Sequence, residues 1–221
     1  MLTVHTILDL LPWVLIAPAI PLLLLLITRT YSNGSQASLV LLCVITILSN
    51  VFLTVAAKST LDPALLQVSY LTTFIFTLLL LKNCTHHRVL KISIFTILLV
   101  FIGIYLSVQF ISGDLTNMHL LNNSGTLIIF LLAILVLVSL TYKVDLHILA
   151  NPDFWYSGGV FFHFGLLSLL LFTGKKITDT DYHEQNEWSI MYAIVFCLQF
   201  LFFSIGVYMH KPWQKKAETL L

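Results

Sequence analysis

NPDFWYSGGVFFHFGLLSLLLF, residues Asn151 to Phe172, is the stretch on which the reading turns. From Phe154 onward it contains no Asp, Glu, Lys or Arg. It matches the length a helix needs to cross a bilayer, about 20 residues. Asn151-Pro152-Asp153 reads as a turn followed by a helix start, with Asp153 in the N-cap position. Trp155 and Tyr156 then fall where aromatic rings prefer to sit, at the membrane–water interface. Farther in, the run holds a Gly158-Gly159 pair and His163, the one ionisable side chain placed inside the membrane. Tyr156, Gly159 and His163 are three and four residues apart and so share a helix face. Gly159 lets a neighbouring helix or a ligand approach His163.

Working outward, the rest of the chain has the same character. Of its 221 residues 58% are hydrophobic and 10% charged, with mean hydropathy +0.96. A soluble domain carries about 25% charged residues, so lipid is the solvent for most of this surface. Seven apolar runs are long enough to span: Leu11–Thr28, Ala37–Ala57, Pro63–Leu81, Leu90–Ser112, Gly125–Tyr142, Phe154–Thr173 and Ser189–Met209. Their connections are short, which makes neighbours antiparallel. The expected fold is all-α, a polytopic seven-helix membrane bundle forming one domain over residues 1–221. The first run is read as a retained helix, because the segment before it has no Lys or Arg and Ala17-Pro18-Ala19 precedes the most apolar residues.

Basic residues set the orientation. With the C-terminus inside, Arg29, Lys82, Arg88, Lys91, Lys143, Lys211, Lys215 and Lys216 fall on the cytoplasmic side, and only Lys58, Lys175 and Lys176 outside. The N-terminus is then outside. A net charge of +1 offers no basic surface, so no nucleic-acid partner is expected; the expected partner of most of the surface is the lipid bilayer.

Polar residues recur at helical spacing in several runs. Cys43, Thr46, Asn50 and Thr54 lie in the second, Gln67, Tyr70, Thr73 and Thr77 in the third, Ser93, Thr96, Gly103 and Ser107 in the fourth, and Tyr192, Gln199 and Gly206 in the seventh. In lipid such stripes mark interior faces, where small residues allow close approach and polar ones bond across helices. The fifth run is almost featureless and is read as facing lipid on most sides. Pro18 and Pro21 are expected to kink the first helix. The segment Gly174 to Trp188 is read as a solvated outer loop, and Cys43, Cys84 and Cys197 as apolar filler.

Chemistry-bearing sets are few. No carboxylate or lysine lies near the middle of a run, which argues against a carboxylate proton relay and removes an attachment point for a retinal. No metal-ligand spacing and no Gly-x-Ser-x-Gly elbow is present, so no metal or cofactor is implied and an enzyme is the less favoured class. His163 either bonds to Asn50, Gln67, Gln199 or Tyr192 across the bundle or serves as a pH-responsive or ligand-contacting group. The candidate interior or ligand-binding set is therefore His163, Gly159, Tyr156, Asn50, Gln67, Tyr70, Gln199 and Tyr192. His86, His87 and His147 lie together on the inner side in this topology.

The order Phe154-Trp155-Tyr156-Ser157-Gly158-Gly159-Val160-Phe161-Phe162-His163-Phe164 resembles a pattern in a poorly characterised group of seven-helix inner-membrane proteins of Bacteroidota-type bacteria. These in turn resemble the multi-helix membrane portions of some sensor histidine kinases. The shared features are Phe-Trp, a Gly four residues after the Trp, and an aromatic pair beyond it. In that pattern the position of His163 is more often Tyr. The resemblance implies a bacterial inner-membrane location and a sensory or accessory role, with a separate histidine kinase or other signalling protein as partner. A transporter or channel subunit, and a lipid-modifying enzyme using His163 or the inner histidines, are the competing readings.

Overall fold

The computed structural model describes residues 4–28, 34–56, 63–111, 115–142, 148–174 and 182–218. Among these residues there are seven α-helices and no strand: α1 (Val4–Thr28), α2 (Gly34–Ala56), α3 (Pro63–Cys84), α4 (Arg88–Ile111), α5 (Leu115–Thr141), α6 (Pro152–Gly174) and α7 (Tyr182–Glu218). A short 3-10 turn, Ile148–Ala150, leads into α6. Each helix grows from one of the apolar runs, because a backbone out of water must satisfy its own hydrogen bonds. Four helices hold stretches long and apolar enough to cross a membrane: Gly34–Phe52, Arg88–Gln109, Leu120–Thr141 and Ile190–His210. Large apolar side chains such as Leu99, Val100, Leu131, Leu135, Ile194 and Leu201 are exposed on their outer faces. This is a helical membrane protein.

Several ends differ from the sequence expectation. α5 starts at Leu115 rather than Gly125, since residues 115–124 are polar but contain no Gly or Pro to stop a helix. α7 starts at Tyr182, inside the segment read as a loop, and continues to Glu218. α1 runs as one helix through Pro18 and Pro21. The start of α6 also needs a correction. The Asp153 N–H donates to Asn151 Oδ1 at 3.0 Å, and the Phe154 N–H donates to the Asn151 carbonyl at 3.2 Å. Asn151 is thus the N-cap, Pro152 takes the first helical position that suits it, and Asp153 sits inside the first turn.

α3 is the hub, packing against α2, α4, α5 and α6. α1 touches α2 and α7, and α7 lies along α6, so α1, α2, α3, α6 and α7 close into a ring. α5 is wedged against α3, α4 and α6, which overturns the reading of a mostly lipid-facing helix: Ile129, Leu132, Ala133, Val136 and Leu140 are buried. An all-apolar helix carries no contrast between faces, so its packing side is not legible from sequence. The fourth stripe is also corrected. Ser93, Thr96, Gly103 and Ser107 are exposed on the outer face of α4, and Ile94, Leu98, Phe101 and Tyr105 face the core. Ser107 satisfies its hydroxyl on the Gly103 carbonyl at 2.8 Å and needs no partner helix.

α6 and α7 approach each other closely at two glycines. A Cβ on Gly159 would lie 2.9 Å from the Phe203 ring and 3.0 Å from the Gln199 carbonyl. A Cβ on Gly206 would lie 2.5 Å from the Tyr156 ring and 3.1 Å from the Pro152 carbonyl. In lipid, where apolar burial gives no drive between helices, such backbone approach supplies the packing energy. It also fixes Tyr156 at 0% exposure, with Phe203 edge-on to its ring.

Candidate functional site

His163 lies on the α6–α7 seam at 6% exposure. Its ring meets Phe164, Tyr192 and Phe196 edge-on, at centroid distances of 4.9, 6.1 and 6.1 Å. The imidazole also faces the backbone of Val195. Of the partners weighed for it, Tyr192 is a ring neighbour, though it is 42% exposed and so stands at the edge of the bundle rather than inside it. Gln199 is buried beside Gly159. Asn50 is half-buried on α2.

Gln67 and Tyr70 belong to a different cluster, between α3, α4 and α5. The Tyr105 hydroxyl donates to the Gln67 carbonyl at 2.9 Å, and the Tyr70 hydroxyl donates to the Asn122 carbonyl at 2.6 Å. Each is a bond between helices, worth about 1 kcal/mol in lipid. Gly125 makes room for Tyr70 and Phe101, whose atoms would lie 2.5 and 2.8 Å from a Cβ there. This cluster ties helices together. Between α1 and α7 an open groove lined by Ile16, Ala17, Ile20, Ala193 and Leu201 is apolar apart from Ser204 and Cys197, and Ser204 bonds the Phe200 carbonyl at 2.8 Å. It suits a hydrocarbon chain.

The densest polar assembly is elsewhere, where α2 and α6 begin and α3 ends. Asp153, Tyr156 and Ser157 share one face of α6, and Gln36 of α2 and Cys84 of α3 are buried against them. Ser35 and Cys84 lie against the Asp153 carboxyl, Cys84 also meets Ser157, and Gln36 faces Tyr156. Gln36, Cys84, Tyr156 and Ser157 are all at 0% exposure. The Gln36 amide, the Tyr156 hydroxyl, Ser157 Oγ and Asp153 Oδ1 stand beside one another and beside Ser35 and Cys84 without closing a well-formed hydrogen bond. A buried unpaired polar group costs about 1–3 kcal/mol, so several in one place are an expensive arrangement to retain.

The rim of this cluster is ordered and charged. His86 Nε2 lies 3.8 Å from Asp153 Oδ2, with the histidine 63% exposed. Lys91 is near enough to act on the same carboxyl. Around them, the Asn83 amide donates to Ser38 Oγ at 2.6 Å and to the Gly34 carbonyl at 3.2 Å, joining α3 to α2. Thr85 meets Ser139 of α5 at 3.2 Å and accepts from the His87 N–H at 3.3 Å, which holds the α3–α4 turn. The Trp155 indole donates to the Leu149 carbonyl at 2.7 Å and pins the turn before α6.

Asp153 lies in the first turn of α6 and against Ser35 in the first turn of α2, so the positive ends of two helices face it. Burial nevertheless pushes its carboxyl up to about 6, against the lowering pull of the Ser35 hydroxyl, His86, the Cys84 thiol and Lys91. Burial, and then the neighbouring carboxyl, push the Cys84 thiol well up, which keeps it protonated and a poor nucleophile. Ser157 shares its helix face with the Asp153 carboxyl, and Cys84 lies against both. Among the described residues no group of three or more His, Cys, Asp or Glu is gathered to hold a metal. Of His86, His87 and His147, His86 reaches Asp153, and His147 lies outside the described residues.

Of the eight residues singled out from sequence, Tyr156 alone enters this cluster. Asp153 was legible as a cap, Cys84 as filler, and Gln36 as a residue just outside a span. The available signal was Asp153, Tyr156 and Ser157 at i, i+3 and i+4, one helix face carrying three polar groups. No family model matches the chain, no curated protein matches it, and no solved structure matches it.

Proposed function

We infer that the chain is a seven-span protein with its N-terminus outside and its C-terminus in the cytoplasm, and that it serves as a sensory or accessory component of a bacterial inner membrane. Its input site is the polar cluster at the inner ends of α2, α3 and α6, and its output is a signalling partner, a histidine kinase being the class the sequence resemblance implies. The observation that carries this is the cluster itself: five buried polar atoms of Gln36, Asp153, Tyr156 and Ser157 gathered without well-formed hydrogen bonds, rimmed by His86 and Lys91. Such a site changes its own energy with whatever occupies or protonates it, and it touches three helices at once. The basic residues that set the orientation gather at the same end, where a cytoplasmic partner docks.

The transporter reading draws less support, since the polar stripe of α4 that would help line a path faces outward. The enzyme reading draws less support too, since among the described residues the Cys84 thiol is held protonated by burial. The test is recovery of a partner. The protein is expressed with a C-terminal tag in its native membrane, crosslinked at fixed pH, purified and analysed by mass spectrometry. Enrichment of a kinase or response regulator over a control membrane protein is the expected result. Recovery of the chain with lipid alone overturns the reading.

A further inference from the structure

The chain from the end of α3 to the start of α4 reads KNCTHHRVLK, residues 82–91, with Lys82, Arg88 and Lys91 and no acid. Lys91 acts on the Asp153 carboxyl, which is buried in the polar cluster. Among the described residues, Lys82 and Arg88 meet no carboxylate.

Their surroundings are apolar and face outward. Arg88, Ile92, Phe95 and Leu99 follow one another on α4 at intervals of four, three and four residues, so they share one face, and all are exposed. Lys82, half-buried in the last turn of α3, places its Nζ 4.8 Å from the centre of the Phe95 ring. A lysine at a helix end ordinarily extends its head toward water. This one is stationed on a ring of the outward ribbon. Helical side chains lean toward the N-terminus, so the Phe95 ring and the ammonium on it are carried toward Arg88. The positive end of α4 lies at the same point.

We propose that this face binds an anionic phospholipid, with the headgroup phosphate held between Lys82 and Arg88 and an acyl chain laid along Ile92, Phe95 and Leu99. The chemistry selects the occupant. Cations without a carboxylate call for an anion, and at a lipid-facing surface the anion at hand is a lipid phosphate. The apolar ribbon that continues from them along α4 calls for a hydrocarbon chain, which free phosphate lacks. A zwitterionic headgroup brings a cation of its own, and no acid is offered to it: residues 82–91 have none and Asp153 is buried. The headgroup is therefore one of net negative charge, of the phosphatidylglycerol type. Orientation in the membrane accounts for basic residues in this turn. It does not account for an ammonium set on an exposed ring of α4. The site lies outside the polar cluster and does not depend on the sensory reading.

The test is native mass spectrometry of the whole protein released from a neutral detergent, titrated with dioleoyl phosphatidylglycerol and, in parallel, with dioleoyl phosphatidylcholine. The first phosphatidylglycerol is expected to bind about tenfold more tightly than the first phosphatidylcholine. Lys82→Gln and Arg88→Gln should each weaken phosphatidylglycerol binding about fivefold, the scale of one basic residue at an anionic surface, and leave phosphatidylcholine binding unchanged. Phe95→Leu keeps the ribbon apolar but removes the ring under Lys82, and it should narrow the preference for phosphatidylglycerol. Lys215→Gln, an equal loss of charge near the end of α7, should change neither lipid. Equal binding of the two lipids by the wild type overturns the proposal. So does an equal loss in Lys215→Gln, which would trace the preference to overall charge. Inorganic phosphate at millimolar concentration should not displace the phosphatidylglycerol; displacement would assign the cations to free phosphate and overturn the lipid site.

Discussion

The two halves of α6 bury ionisable groups in opposite ways. In the half that carries His163, the imidazole is enclosed by Phe164, Tyr192 and Phe196 and set against backbone, with one ring nitrogen, Nδ1, unpaired. In the half that carries Asp153, polar groups from α2, α3 and α6 converge and leave several atoms unsatisfied. The first arrangement is what packing alone produces around one odd residue. The second is not, because packing would replace unpaired polar atoms with methyl groups. An ionisable residue in lipid is a weak pointer to function by itself; polar groups arriving from separate helices at one point are a stronger one.

The sharpest way to break the contrast is to separate α7 from α6 at the Asp153 end. Gly206→Leu drives a side chain into the Tyr156 ring and the Pro152 carbonyl, and overpacking of this kind costs about 3 kcal/mol. Thermal melting in detergent should fall by several degrees, with Tyr156 displaced from the cluster; an unchanged melting temperature would show that the seam is loose.

Next in size is Asp153→Asn. Burial raises the carboxyl from its ordinary 3.8 to about 6, so the folded state holds the proton more tightly than the unfolded chain. That stability is fully present below pH 3.8 and is lost as pH rises through about 6. The wild type should therefore melt at lower temperature at pH 7 than at pH 4, by the equivalent of about 2 kcal/mol. Asp153→Asn should lack this slope and exceed the wild type at neutral pH. A wild-type melting temperature that does not fall between pH 4 and pH 7 would mean that the rim charges compensate the burial fully.

Gln36→Leu comes third. It removes a buried amide that faces the Tyr156 hydroxyl without a well-formed hydrogen bond, and relief of about 1 kcal/mol is expected as a higher melting temperature. A loss of similar size instead would mean that the amide is satisfied in the membrane. His163→Phe should have the smallest effect, within about 1 kcal/mol of wild type in melting, because an aromatic ring replaces another in an aromatic enclosure. A large loss there would erase the distinction between the two halves.

The helices were legible because each rests on an apolar run, and four of them hold a stretch long enough to cross a bilayer. Their facing was less so. Ser107 illustrates the reason: a hydroxyl that bonds its own helix at Gly103 is polar in composition and self-sufficient in structure, so the stripe on α4 carries no information about neighbours. α5 shows the converse, an apolar helix on every side that is packed on three. At the candidate site, Tyr156 was visible through its spacing to Gly159 and His163, although the contacts that matter for it run toward Gln36 and Cys84. Asp153 was misread as a cap because Asn151 two residues earlier has the same chemistry, and only the bond at 3.0 Å decides between them. Gln36 could not be found from sequence, since its partners sit far along the chain.

The glycine seam also has a mechanical meaning. With Phe203 seated over Gly159 and the Tyr156 ring seated over Gly206, the two helices are keyed at two levels, and sliding one along the other would drive a ring into backbone at either level. α6 and α7 therefore move as one rod. A tilt begun at the first turn of α6 is carried without slip into α7, which continues to Glu218, well past the last apolar residues of its run.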